Sequence, residues 1–301
     1  MEVTCRTVQG RFLLKPSKKL KRIVIGVLGR AQRLYSVEIH AFVFLSNHYH
    51  LLVSVEDALQ MQMARFMNYL NSDVAREVGR MHRWKERFWG RRYQAIIVSD
   101  EEAAQVDRLR YVLSHGCKEG LVGRPEDWPG AQCVRALTRG EPLEGVWIDR
   151  TKQYGDRLLG KEPPSVEFER RELVQLDPLP CWRHLPTETY RSRIRELVKS
   201  IEVETRKLHS RGGTKPLGVR TVSSHNPHHR PRKLKKAVAP LCHAATRSAR
   251  TELFKAYAWF VFAYREAVER LRRGAPDPRF PLSSFPPGLP FVGRVSDPAP
   301  G

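Results

Sequence analysis

The sequence has no apolar run long enough to cross a membrane, no closely spaced cysteine pair, and no acidic residue at all between Thr205 and Thr251. Each absence excludes something. The longest apolar stretch, VEIHAFVFL (37–45), is only strand length and is interrupted by Glu38 and His40, whereas a span needs roughly 18 uncharged residues. No membrane partner is therefore expected. The opening MEVTCRTVQGRF lacks the apolar segment and small-residue cleavage site of an export signal. The five cysteines (Cys5, Cys117, Cys133, Cys181 and Cys242) form no CxxC, so neither a structural zinc site nor a disulfide framework is indicated, and a cytoplasmic location is expected. The acid-free stretch holds twelve Lys and Arg. Over all 301 residues, 53 Lys and Arg against 32 Asp and Glu leave a net charge of +21, a surplus that usually answers a polyanion, with nucleic acid the leading partner.

The first 120 residues alternate strand-like and helix-like patterns. RTVQGRFLL (6–14) reads as a strand. KKLKRIVIGVLGRAQRL (18–34) places Leu20, Ile23, Val24, Val27 and Leu28 at helical spacing. VEIHAFVFL and HLLVSV read as two strands around Ser46-Asn47, and a helix is predicted from about Asp57 to Arg80. RRYQAIIV (91–98) is strand-like, and Ser99-Asp100-Glu101-Glu102 opens a third helix, with acid in the first turn where the dipole favours it, ended by Gly116 or Gly120. The order β-α-β-β-α-β-α predicts an α+β domain of the ferredoxin-like split βαβ type with an antiparallel sheet. Gly and Pro then break the pattern, so 136–186 reads as a loop-rich linker, 187–273 as a mainly helical, basic C-terminal extension and 274–301 as a Pro-rich tail. Within the extension, Phe254, Tyr257, Phe260, Val261 and Tyr264 form an aromatic stripe that reads as core.

LSNHYHLLV carries the sharpest local signal. Alternate residues of a strand share a face, so His48 and His50 point the same way and can share a metal; ordinary surface histidines at a strand start are the competing reading. RLRYVLSHG adds Tyr111 and His115 at i and i+4, one turn apart on the third helix. Read singly, Tyr111 is an amphipathic core residue and His115 a partner of the helix dipole. Read jointly with the HxH, they complete a site. A divalent cation on three side chains can hold nonbridging phosphate oxygens and act as a Lewis acid, while a tyrosine oxygen attacks phosphorus and conserves the ester energy in a phosphotyrosine link. Either Mg2+ or Mn2+ would serve, and three imidazoles suit Mn2+ at least as well. Tyr69 and Tyr93 have no histidine at helical spacing. Trp89, Arg91 and Arg92 are candidate DNA contacts through stacking and phosphate pairing, against core packing of Trp89. Arg230, Arg232, Lys233, Lys235 and Lys236 are candidates within the acid-free stretch.

FVFLSNHYHLLVSV (42–55) resembles the HUH signature of single-tyrosine transposases. RYVLSHGCKEGLVGRPEDWPG (110–130) resembles the nucleophile-bearing segment of REP-associated tyrosine transposases, and FWGRRYQAIIVSDEE (88–102) their strand before the catalytic helix. Together these cover about 1–135 in the right order. The resemblance implies an HUH single-tyrosine domain that cuts and rejoins single-stranded or hairpin-bearing DNA through a 5'-phosphotyrosine. His48 and His50 would be metal ligands and Tyr111 the nucleophile. His115 would stand where the family commonly places Gln or Asn. A homodimer is compatible with this, since a catalytic helix can pack on its own sheet or on a partner's. Two other functions fit the same residues: a DNA-binding protein without turnover, and a metal-dependent phosphodiesterase that uses water and forms no covalent intermediate.

Overall fold

The computed structural model describes residues 1–56, 60–161, 163–232, 240–282, 284 and 286–288. Its centre is a sheet of β1 (Glu2–Arg6), β2 (Glu38–Phe44), β3 (His48–Ser54) and β4 (Gln94–Val98), in the antiparallel order β2-β3-β1-β4. Helix α1 (Lys18–Leu34) connects β1 to β2, and α2 (Gln60–His82) connects β3 to β4. This is the expected ferredoxin-like arrangement. Ser17 starts α1 by accepting a hydrogen bond from the Leu20 amide at 3.1 Å, and the spacing of Leu20, Ile23, Val24, Val27 and Leu28 buries one stripe. Tyr49 faces α2, its hydroxyl donating to Asn71 Oδ1 at 2.8 Å, and is fully buried. By alternation His48 and His50 face the other side, where α3 (Glu102–Ser114) packs.

The first strand differs from expectation. It runs over Glu2–Arg6 and stops, because Gln9 (φ 54°) and Gly10 (φ 71°) turn the chain through the left-handed region. Leu13 and Leu14 are therefore buried in a turn instead of extending a strand. The predicted start of the second helix, Asp57, lies outside the described residues.

The stretch expected to be a loop-rich linker is folded onto the domain. It contains α4 (Val134–Arg139), β5 (Leu143–Ile148), α5 (Arg150–Leu158) and β6 (Glu169–Val174), with β5 and β6 forming an antiparallel hairpin. The hairpin lies directly on α1 through glycines: a Cβ added to Gly26 would come within 2.1 Å of the Val146 carbonyl carbon, and one added to Gly145 within 2.1 Å of the Gly26 nitrogen. Arg33 and Arg30 of α1 reach Glu172 of β6 at 2.8 and 3.3 Å, and Arg30 stacks over Trp147 at 4.3 Å. The long α6 (Thr187–Gly212) then packs against α3 and α4. The short α7 (Val219–Ser224) follows, and β7 (Cys242–His243) adds to the sheet parallel to β4.

The chain divides into two compact units, Met1–Arg250 and Thr251–Gly301. In the second, most of α8 (Arg247–Arg272) is exposed, with Phe254, Tyr257, Trp259 and Phe262 among its solvent-facing residues. Of the aromatic stripe, Phe254 and Tyr257 are exposed and Phe260, Val261 and Tyr264 half-buried, so it is not the fully buried core that its periodicity suggested; among the described residues of the helix, Ala267 is buried. Tyr264 meets Phe280 edge-on at 5.6 Å. Among the described residues, no helix is long and apolar enough to cross a membrane, and the five cysteines are unpaired.

Candidate metal and nucleophile site

His48 and His50 project from β3 toward the end of α3, and the chain brings His115 to meet them. Helix α3 ends at Ser114. His115 is therefore not a helical residue one turn beyond Tyr111, as its spacing suggested, but the extended cap that follows (φ −61°, ψ 142°), turned by Gly116 (φ 90°). The three imidazoles nevertheless meet. One ligand nitrogen from each of His48, His50 and His115 lies within 4.8 Å of the others. The His50 and His115 rings stack at 4.1 Å, and His48 lies 5.2 and 5.8 Å from them.

The tautomers are set by three separate oxygen acceptors. His48 Nδ1 donates to Asn47 Oδ1 at 2.7 Å, His50 Nδ1 to Glu2 Oε1 at 2.9 Å, and His115 Nδ1 to Glu119 Oε1 at 2.9 Å. With all three Nδ1 atoms engaged, Nε2 is the nitrogen of each ring left to ligate, the usual outer-shell arrangement of metal-binding imidazoles; that of His115 lies 3.2 Å from Lys118 Nζ, which a bound cation would have to displace. Burial, reinforced by the charges of its neighbours, depresses His48 well below the ordinary histidine value. Burial likewise takes His115 down to about 4 despite the opposing hydrogen bond to Glu119. These two are neutral at physiological pH, as ligation requires. The donor set fits a borderline divalent cation such as Mn2+ better than a hard, oxygen-seeking one.

Glu2 joins distant parts of the chain here. It is buried, and besides His50 it faces Arg108 of α3 at 3.5 Å and His243 Nε2 of β7 at 3.1 Å. Burial pushes its carboxyl up, but hydrogen bonds from His243 and His50 outweigh this and hold it well below the carboxylate range. It remains ionised. Sequence reasoning missed Glu2, Asn47, Glu119 and His243. Asn47 and Glu119 carried a local signal, one beside the HxH and the other four residues past His115. Glu2 and His243 carried none, because only the pairing of β1 with β3 and of β4 with β7 brings them in.

Tyr111 is half-buried, with its ring 4.8 Å from His115 and 5.6 Å from His50. Lys118 Nζ sits 3.3 Å from the ring centroid, and the Arg108 guanidinium lies at 4.7 Å. Burial first, then Glu2 and Glu119, raise its phenol above the ordinary value. The hydroxyl is protonated at rest. All four expected site residues thus come together within one chain.

The candidate DNA contacts divide. Trp89 is tied inward: its indole donates to the Asn71 carbonyl at 2.8 Å and its ring packs edge-on against Phe88 and Tyr49, which is core packing and leaves no indole N–H for a base. Arg91 and Arg92 are exposed, Arg91 donating to Gln94 at 3.3 Å. Arg230 and Arg232 are exposed beside the turn at Gly10, whose carbonyl accepts from Asn47 at 3.1 Å. Lys233, Lys235 and Lys236 lie outside the described residues. A cavity of about 860 Å3 between α1 and the β5–β6 hairpin contains none of these side chains.

Residues 12–114 match the family model of IS200-like transposases. Over these residues, about a third of the chain, the sequence is similar to that family. The matched segment contains His48, His50 and Tyr111, while Glu2, His115 and Glu119 lie outside it. A solved structure of a REP-associated tyrosine transposase bound to a REP hairpin is similar at 18% identity, over 47% of this chain and 81% of that one, with a TM-score of 0.37. No curated protein matches the chain. Within the matched segment, the HxH strand and the tyrosine helix are adjacent across one sheet face, and the elements that follow residue 114 add His115, Glu119 and α6 around them.

Proposed function

We propose that this protein is a metal-dependent, single-tyrosine DNA strand transferase, with Tyr111 as nucleophile and His48, His50 and His115 as the ligands of a divalent cation, Mn2+ or Mg2+. The observation that carries this reading is the clustering of one nitrogen from each of His48, His50 and His115 within 4.8 Å of the others beside Tyr111, with the Nδ1 atoms held by Asn47, Glu2 and Glu119. Histidines serving only as packing need no such common orientation. The bound cation would supply Lewis acidity and hold nonbridging phosphate oxygens.

The residues of the chain do the rest. The Tyr111 oxygen loses its proton and forms a bond to phosphorus; the P–O3' bond breaks, the leaving oxygen takes up a proton as a 3' hydroxyl, and the 5' phosphate stays on Tyr111. Lys118 and Arg108 flank the ring, where they stabilise the developing phenolate and the phosphate charge. The net charge of +21 supports a DNA substrate, and the unpaired cysteines support a cytoplasmic setting.

The test is a denaturing gel of labelled single-stranded and hairpin oligonucleotides incubated with protein and Mn2+. A covalent shift is expected for the wild type, none for Tyr111→Phe, and little for His48→Ala. DNA cleaved without an adduct would point to water as nucleophile. DNA bound without cleavage would mean that turnover has been lost.

A further inference from the structure

Tyr111 borders a second feature besides the histidines: a groove of about 470 Å3 between α3 and α6. We infer that this groove is a nucleotide slot that holds the strand entering the site next to the scissile phosphate; the inference rests on the strand-transfer reading above.

The groove has an apolar wall and a basic rim. Ile201 and Leu208 of α6 form the wall, and Leu208 is 58% exposed, an uncommon position for a leucine on a highly charged helix. Lys207 and Arg211, one turn apart on α6, form the rim with Lys118. The acids at the groove are already neutralised: Glu204 pairs with Arg110, and Asp107 with Arg108. Lys207 and Arg211 have no ion-pair partner among the described residues, so the uncompensated charge of the groove is positive. An apolar surface beside unpaired cations matches a nucleobase and its phosphate, the combination found where proteins grip single strands. The volume falls in the range of small-ligand sites. A strand lying here passes directly over Tyr111 toward the histidines, so fixing the flanking nucleotide also fixes the distance from phosphorus to the attacking oxygen. Helix α6 lies beyond residues 12–114. The C-terminal extension thus supplies a wall of the active site itself, not only a basic surface.

Fluorescence anisotropy with a labelled oligothymidylate, without metal and at several salt concentrations, tests this on the full chain. The pair Lys207→Gln/Arg211→Gln is expected to weaken binding roughly tenfold near about 50 mM salt. Loss of two phosphate contacts flattens the log-affinity against log-salt slope by about 1.4, so the deficit shrinks about sevenfold by about 200 mM. Leu208→Trp fills the groove without altering charge and is expected to weaken binding with the slope unchanged. The control pair Lys199→Gln/Arg206→Gln removes the same charge from the same helix outside the groove; it should weaken binding less. All these side chains are exposed, and circular dichroism confirms folding. The slot is refuted if the groove pair behaves like the control pair, if Leu208→Trp binds as the wild type does, or if the wild type does not bind oligothymidylate. Slot variants that bind normally while the wild type still forms its adduct refute the slot alone. Slot variants that lose binding while no adduct ever forms refute the strand-transfer reading alone.

Discussion

Replacing Glu2 by Gln is the most incisive perturbation of the proposed metal site, because it keeps shape and removes charge. Glu2 Oε1 accepts from His50 Nδ1 at 2.9 Å and its Oε2 lies 3.1 Å from His243 Nε2, within a buried setting. The carboxylate fixes the His50 tautomer and makes the imidazole a stronger donor; losing such an outer-shell partner lowers metal affinity about 10–100-fold. At a cation concentration about 100 times the wild-type dissociation constant, binding stabilises the fold by about 2.7 kcal/mol. A 10–100-fold weaker site under the same conditions contributes only about 1.4 to 0.4 kcal/mol. For a unit of 250 residues, at about 2–4 °C per kcal/mol, the metal-induced rise in melting temperature falls from about 5–11 °C to about 1–6 °C. Thermal melts with and without Mn2+ measure this directly. Each variant is compared with itself, so any metal-free destabilisation by Glu2→Gln cancels. Glu119→Gln should show a similar loss through His115, and His243→Gln a smaller one, since His243 touches Glu2 but not the histidine cluster. An unchanged Mn2+-induced rise in Glu2→Gln would refute the tautomer argument. Absence of any rise in the wild type would refute the metal site.

Other outcomes follow from the same structure. Tyr111→Phe should abolish the covalent adduct while keeping the wild-type Mn2+-induced thermal shift, since the attacking oxygen is not among the ligands; a persisting adduct would move the nucleophile to another tyrosine, Tyr93 first. His40 is buried at the bulge in β2 between the Asp177 carbonyl and Ser54 Oγ, and burial takes it down to about 4. Its stabilising effect is complete above the ordinary value of 6.5 and is lost as pH falls toward 4, because only the unfolded chain gains the proton in that window. At about pH 5 the loss is about 2 kcal/mol. Urea unfolding of the wild type and of His40→Gln at about pH 7.5 and about pH 5 should show that much less acid sensitivity in the variant, and equal sensitivity would exclude His40 as the source. Gly26→Ala forces a Cβ into the Val146 backbone and should cost about 3 kcal/mol or more. A near-neutral result by urea unfolding would mean that the hairpin does not rest on α1.

Local chemistry was enough to predict the order of elements in the N-terminal domain. Helix α1 obeys its periodicity from Lys18 to Leu34, and period-two alternation puts Tyr49 into the core and His48 and His50 on the opposite face. Such patterns repeat within a few residues, so the chain shows them without knowledge of its fold. Tertiary structure decided what depends on distant approach. Gly26 and Gly145 are unremarkable in sequence and matter only because two backbones meet there, which is why a packed hairpin read as a linker. The aromatic stripe of α8 has the spacing of a core helix, but burial depends on what covers a face, and periodicity does not report that. His115 reaches the site because the chain leaves the helix before it, not because the helix carries it there. Glu2 and His243, more than two hundred residues apart, share one buried charge through strand pairing alone. The candidate site residues His48, His50, Tyr111 and His115 were visible in the sequence, whereas Glu2, which contacts His50, and His243, which contacts Glu2, appeared only with the fold.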